Sequence, residues 1–187
     1  QFAIEMLYKN CGQAVKHHGI NKTNIMIADF YKGRKVIVTG NTGFKGSWLG
    51  LWLTSLGAKV TGFALAPDSN PSLFQLAKLE SALHHIEGDV RNVDQLKAAL
   101  QNSQPGIVFH LAAQSLVRPS YDNPLLTYQT NVMGTAHLLD AVRAEAPEAT
   151  VVVVTSDKCY ENRERSAGYR EDEPMGGHDP YSASKGM

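Results

Sequence analysis

Cysteine is nearly absent from this chain. Two residues of 187, Cys11 and Cys159, are too few for a disulfide framework or a zinc site, and their scarcity predicts a reducing, cytoplasmic compartment. An excess of charge of one sign is also lacking. Eighteen basic residues balance eighteen acidic ones and no basic block occurs, so neither nucleic acid nor an anionic membrane is an expected partner. Any anionic ligand must therefore be held locally. No apolar run approaches the roughly 20 residues that cross a bilayer, and the N-terminus has no compact apolar core of the signal-peptide kind. His17-His18 stands without Cys, Asp or Glu at ligand spacing, so the pair reads as solvated and no metal is expected. What remains is ordinary for a globular domain, 43% hydrophobic and 19% charged, in a chain long enough to bury a core.

The informative stretch is Lys35-Val36-Ile37-Val38-Thr39-Gly40-Asn41-Thr42-Gly43-Phe44-Lys45-Gly46, an apolar strand running into a turn with glycine at every third position. Val36 to Val38 reads as a parallel strand covered on both faces. Gly40 permits a tight turn, Gly43 a close approach of backbone to a pyrophosphate, and Gly46 the packing of the next helix on the strand. That helix is expected over Ser47 to Leu56, with Trp48, Leu49, Trp52, Leu53 and Leu56 on one face and Gly57 as its stop. A second strand, Ala58 to Leu65, completes a βαβ unit. In that context the glycines predict dinucleotide binding, with the helix N-terminus aimed at the phosphates.

Residues 1–28 fit this pattern poorly and read as an N-terminal extension, Met26 being an alternative start; 29–187 read as one α/β domain of the doubly wound Rossmann type. Asp68, near the end of the second strand, is the candidate ribose acceptor, and no arginine stands there for a 2′-phosphate, so NAD is preferred over NADP. Pro71 to Leu83 reads as one helix with Leu73, Phe74, Leu76, Ala77 and Leu83 inward, and His85 to Val90 as a short strand after it. Asp89 either accepts a hydrogen bond from the adenine amino group or caps the next turn. Asp94 is the expected N-cap of a helix over Gln95 to Gln101. The fourth strand is Ile107 to Leu111, and Ala112 and Ala113 after it leave room for a flat ligand. A single helix is expected from Pro124 to about Arg143, with Val132, Thr135, Leu138, Leu139 and Val142 on one face. Val151 to Thr155, a β-branched run, is placed in the middle of the sheet.

Two constellations lie beyond that strand. Ser156-Asp157-Lys158 leaves its C-terminal end, and Tyr181-Ser182-Ala183-Ser184-Lys185 opens a helix behind Asp179 as N-cap and Pro180 as first residue. Tyr181 and Lys185, four apart, share a helix face. A tyrosine hydroxyl, ordinarily of pKa about 10, becomes a usable base beside an ammonium and a positive nicotinamide ring. Such a pair removes a proton from a sugar hydroxyl as that carbon is oxidised.

The GxxGxxG spacing resembles the extended branch of the short-chain dehydrogenase/reductase superfamily. With His110-Leu111-Ala112-Ala113-Gln114, Asn131-Val132-Met133-Gly134-Thr135, Thr155-Ser156-Asp157-Lys158-Cys159-Tyr160 and Gly176-Gly177-His178-Asp179-Pro180-Tyr181, the chain is similar to the CDP-glucose 4,6-dehydratases over residues 33–187. The resemblance implies NAD-dependent dehydration of CDP-glucose to CDP-4-keto-6-deoxyglucose in deoxysugar biosynthesis, by a homodimer paired through the Pro124 and Pro180 helices. It implies that NAD lies against Gly40, Thr42, Gly43, Phe44, Lys45, Gly46, Asp89, Val90, Leu111, Ala112, Ala113, Gln114, Asn131 and Thr155, with Tyr181 and Lys185 at its nicotinamide end. Tyr181 would be the base at the 4-hydroxyl, Ser156 would bind the 4-oxygen and Asp157 would protonate the departing 6-hydroxyl. Lys158 occupies the place of a glutamate base in the dTDP-glucose dehydratases and acts either as a base or electrostatically on an enolate. Asn41 stands where the family is expected to carry histidine, and Arg165-Ser166-Ala167 where a Trp-rich stretch is expected. The family continues into a smaller C-terminal substrate domain, so these 187 residues are expected to be a fragment, inactive alone and weakly stable. The alternatives are another nucleotide-sugar epimerase or dehydratase of this branch, and a non-catalytic NAD-binding module.

Overall fold

A computed structural model describes residues 22–187. The readings of Cys11, of His17-His18 and of residues 1–21 in general lie outside the described residues. Helix α1 (Lys22–Tyr31) leads into β1 (Lys35–Thr39), α2 (Phe44–Ser55) and β2 (Lys59–Ala64). Two short helices, α3 (Leu73–Leu76) and α4 (Leu79–Ala82), precede β3 (His84–Glu87), α5 (Val93–Ser103) and β4 (Ile107–His110). After β4 come α6 (Val117–Asp122), α7 (Pro124–Tyr128), a π-helical turn (Gln129–Met133), α8 (Gly134–Glu145), β5 (Thr150–Val153), a 3₁₀ turn (Asp157–Cys159) and α9 (Pro180–Gly186).

All strand pairs are parallel, in the order β3-β2-β1-β4-β5. Strand order reverses between β1 and β4, and the C-terminal ends on either side of that switch bound the crevice where open α/β sheets take ligands. The central strands bury both faces, and the period of two sorts their side chains. Ile37, Phe63 and Val108 join Leu96, Leu100, Leu138 and Ala141 on the side of α5 and α8. Val36, Val38, Val60 and Ile107 join Leu53, Phe74, Leu79 and Leu83 on the side of α2, α3 and α4. This is the doubly wound fold expected from the sequence.

Five local expectations are corrected. On α2 the buried stripe is Gly46, Ser47, Gly50 and Leu53, whereas Trp48 and Trp52 are 44% and 50% exposed. At Gly46 the helix lies so close to the turn that no side chain fits, and Leu53 is the large residue fully buried on its inner face, with Leu49 partly buried beside it, while both tryptophans turn outward. The Pro71–Leu83 segment is two helices, because Lys78 adopts a left-handed conformation (φ 50°); Leu79 is buried in consequence and Leu76 is exposed. Asn92 caps α5, its Oδ1 accepting from the N–H groups of Asp94 and Gln95, so Asp94 lies within the first turn, where its charge complements the dipole. The Pro124 helix is interrupted by the π turn, in which the Gly134 N–H reaches back to Gln129 O. The extra residue rotates the rest of the helix, so Ala141 joins Leu138 and Val142 inside and Leu139 faces out. Finally, β5 is an edge strand among the described residues, with Val152 and Val153 exposed, and β1 is the middle one.

Close packing at two glycines generates a stability prediction. A Cβ on Gly46 would stand 2.1 Å from Gly40 O, a backbone atom, and one on Gly62 would stand 2.3 Å from the Asn41 side chain, whereas Gly106 has open space. In urea melts, Gly46→Ala is expected to lose about 2 kcal/mol or more, the upper part of the overpacking range. Gly62→Ala should lose about 1–3 kcal/mol and recover when combined with Asn41→Ala. Gly106→Ala should stay within about 0.5 kcal/mol of the parent. Equal effects at all three positions would refute the packing account.

Candidate functional site

The turn after β1 is fastened on every side. Gly40, at φ +72°, donates its N–H to Phe63 O at 2.9 Å, and a Cβ there would lie 2.8 Å from Ala112 N. Thr42 Oγ1 donates to Leu65 O at 2.9 Å, and Ser47 Oγ donates to Asn41 O at the same distance. Gly43, the N-cap of α2, makes no side-chain cap, and it is exposed together with Phe44 and Lys45. The start of α2 thus presents bare backbone, with glycines at the positions where a Cβ would meet the neighbouring chain. That shape and polarity fit the pyrophosphate of a dinucleotide.

Around this cradle stand the other predicted cofactor residues. Leu111, Ala112, Ala113 and Gln114 run off the end of β4, half-buried. Val90 is packed in the core, and its carbonyl lies 3.3 Å from His137 Nδ1. The Asp89 carboxylate takes the Arg91 N–H at 2.9 Å and pairs with the Arg91 guanidinium, which holds it below the usual carboxylate range. The turn-capping bond expected of Asp89 is formed. Asp68 is exposed beyond the end of β2. Asn131, in the π turn, is buried and ties two elements together: its Oδ1 accepts from Gln114 N at 2.8 Å, and its Nδ2 donates to Gln114 O at 2.9 Å and to Ser184 Oγ at 2.8 Å. Both amide hydrogens are committed within the protein.

Helix α9 starts as its sequence dictates. Asp179 Oδ1 accepts from Ser182 N at 2.9 Å and Oδ2 from Ser182 Oγ at 2.6 Å, with Pro180 in the first turn. Tyr181 and Lys185 are half-buried on it. The helix packs against the 3₁₀ turn beyond β5, which brings Ser156, Asp157 and Lys158 alongside. Ser156 Oγ donates to Asp157 Oδ1 at 3.1 Å and accepts from Lys158 N at the same distance, while Asp157 and Lys158 are exposed. Thr155 is exposed at the end of the strand.

The Lys45 ammonium is near enough to Lys185 to act on its charge. Burial, and then the Lys45 ammonium, holds Lys185 below the usual lysine range. His110 is 3% exposed, and burial together with the Lys185 charge pushes its pKa down to about 4. Sequence reasoning does not single out His110, Thr39, Thr135 or Ser184 as site residues. The available signal is a histidine closing an otherwise apolar strand.

His110 generates a pH prediction. Its folded pKa of about 4 lies below the ordinary value of 6.5, so between these the unfolded chain binds a proton that the folded chain does not. The contribution is full above pH 6.5 and is lost as pH falls toward 4, by up to about 3 kcal/mol at 1.36 kcal/mol per pH unit. Urea melts at pH 7 and 4.5 should show a larger loss for the parent than for His110→Asn. Parallel losses would remove His110 as the source.

The sequence profile of the GDP-mannose 4,6 dehydratase family matches residues 37–187. A curated CDP-glucose 4,6-dehydratase from Salmonella typhimurium is 54% identical over 158 residues, covering 84% of this chain and 44% of that protein. Among solved structures, UDP-glucose-4-epimerase from Stenotrophomonas maltophila with bound NAD and formylated UDP-arabinopyranose superimposes with a TM-score of 0.71 at 25% identity, over 81% of this chain and 45% of that one. UDP-glucose 4-epimerase from Brucella ovis in complex with NAD does so at 0.69 and 26%, over 82% and 45%. The chain thus spans a little under half the length of these relatives. No helix among the described residues is long and apolar enough to cross a membrane. With the profile match running from β1 through α9, the chain belongs to the GDP-mannose 4,6 dehydratase family, on the extended short-chain dehydrogenase/reductase fold.

Proposed function

We propose that this protein takes part, with NAD, in the dehydration of CDP-glucose to CDP-4-keto-6-deoxyglucose and water. One observation carries the reading: an acid, Asp157, stands next to Ser156 at the end of β5, on the turn packed against the helix of Tyr181 and Lys185. Removal of a 6-hydroxyl needs such an acid in addition to the serine, tyrosine and lysine that suffice for oxidation at C4. The identity to the Salmonella typhimurium dehydratase supports the choice of substrate. The NAD-bound epimerases that share the fold support the cofactor, and so does the side-chain-free cradle at Gly40, Gly43 and Gly46. Bound there, NAD would supply a two-electron oxidation at C4 that is returned at C6, so no net oxidant is consumed.

Each side chain then has a task. Tyr181 takes the proton of the 4-hydroxyl, and Ser156 donates a hydrogen bond to the 4-oxygen. Lys185 holds the ribose beside the reacting ring and keeps positive charge near the phenol. Asp157, exposed on its turn, protonates the departing 6-hydroxyl as water. Lys158, also exposed, either takes the C5 proton on its amine or, with that proton passing to solvent water, serves as a positive charge over the enolate. Lys45 adds a cation at the phosphate end. A homodimer through the Pro124–Glu145 helical segment and α9 belongs to the same reading, supported by exposed Leu125, Met133 and Leu139; sedimentation of the complete protein as a monomer would remove it. So does a cytoplasmic location, where charged nucleotide substrates are made; fractionation checks it.

The deciding experiment offers CDP-, dTDP-, UDP- and GDP-glucose with NAD to the protein made from its complete reading frame, and reads the sugars by NMR. A 4-keto-6-deoxy sugar from CDP-glucose alone is expected; a 4-epimer, or no product while NAD binds, overturns the reading. Within that protein Tyr181→Phe should lower kcat by about 10²–10⁴-fold without loss of NAD binding. Lys158→Arg should retain most of the activity and Lys158→Met lose it. Loss in both would show that Lys158 acts as a base.

A further inference from the structure

Between the cofactor turn and the helix of Tyr181, polar groups form a line of hydrogen bonds that enters Asn131 at its backbone carbonyl and leaves from its side-chain amide. Thr39 Oγ1 lies 2.7 Å from His110 Nδ1, and His110 Nε2 lies 3.1 Å from Thr135 Oγ1. Thr135 Oγ1 donates to Asn131 O at 2.7 Å, Asn131 Nδ2 donates to Ser184 Oγ at 2.8 Å, and Ser184 Oγ donates to Tyr181 O at 2.7 Å. The line begins on β1, crosses β4 and the π turn, and ends in the first turn of α9.

Its proton placement is fixed by donor counting. Thr39 Oγ1 accepts from the Ala112 N–H at 3.2 Å and shares the Leu111 N–H, at 3.2 Å, with the Thr39 backbone carbonyl, which lies at the same distance. Its hydrogen is left for His110 Nδ1 at 2.7 Å. At the other end, Asn131 O cannot donate, so the Thr135 hydrogen is committed to it and Thr135 Oγ1 must accept from His110 Nε2. The Thr135 end selects the neutral tautomer with hydrogen on Nε2, and the Thr39 contacts agree with it.

We propose that His110, held as this tautomer, is a positioning residue that passes the place of the cofactor turn through Thr135 and Asn131 to Ser184, and so sets where Tyr181 and Lys185 stand over the cofactor. The proposal rests on the reading of Tyr181 and Lys185 as the reacting pair; the hydrogen-bond line itself does not. Asn131 multiplies the effect, since the same amide clamps Gln114 at the lip of the crevice.

The test uses the protein from its complete reading frame, labelled with ¹⁵N at histidine and at backbone amides. At pH 7 the His110 imidazole should show a protonated Nε2 and an unprotonated Nδ1. Thr135→Val, which keeps shape and removes the relay, should shift the Ser184 amide resonance and lower kcat about 10-fold or more with KM little changed. Thr135→Ser, which restores the hydroxyl, should return both toward the parent. A proton on Nδ1 of the parent protein overturns the proposal, and so does a Thr135→Val protein whose Ser184 resonance matches the parent. If the parent forms no product from CDP-glucose, the functional reading fails while the tautomer and the Ser184 resonance still decide the positioning role.

Discussion

The closest constraint in this molecule is the contact of α2 with the turn it grows from. Gly46 lies over the Gly40 carbonyl at a distance that admits no side-chain carbon, and Gly40 in turn lies against the backbone of Ala112. Helix, first strand and fourth strand are thereby locked around a patch of bare backbone. That patch stands at the switch point of the sheet. Trp48 and Trp52 turn outward, the buried stripe of α2 being Gly46, Ser47, Gly50 and Leu53.

Beneath that surface the interior is more polar than a hydrophobic core alone would be. Thr39, His110, Thr135, Asn131 and Ser184 are linked so that each donor finds an acceptor, and low local dielectric makes such a line stiff when complete. His110 stays neutral within it, where burial and the Lys185 charge both oppose its protonation. Asn41 is the contrast. Its Nδ2 lies 3.2 Å from His85 Nδ1 while its Oδ1 is a buried atom without a partner, wedged over Gly62 where the family is expected to carry histidine. The cradle is therefore propped from the β2 side by an amide that is only half satisfied.

Much of this is legible from residue order. The glycine spacing, the strand and helix that flank it, the Asp179-Pro180 start of α9 and the Gly57 stop of α2 are local signals, and each is realised: Asp179 caps, and the N–H groups of Gly57 and Ala58 close the helix on Thr54 and Leu53. The misreadings share a cause. Apolar character alone places Trp48, Leu76 and Leu139 inward, yet burial is set by what packs opposite. Asp94 loses the cap to Asn92 because both residue types accept equally well and the helix begins two residues earlier than periodicity shows.

Sequence by itself determined the alternation of strands and helices, the parallel fold class, the bare turn and the residue types at the ends of β4, β5 and α9, because glycine, proline, caps and periodicity act within a few residues of where they stand. Only tertiary structure decided which helix faces are buried, that β5 is an edge among the described residues, where the π turn rotates Asn131 inward, and that Thr39 and Ser184 belong to one hydrogen-bonded line. These depend on contacts between segments far apart in the chain, and no local pattern encodes the distance across which two side chains meet.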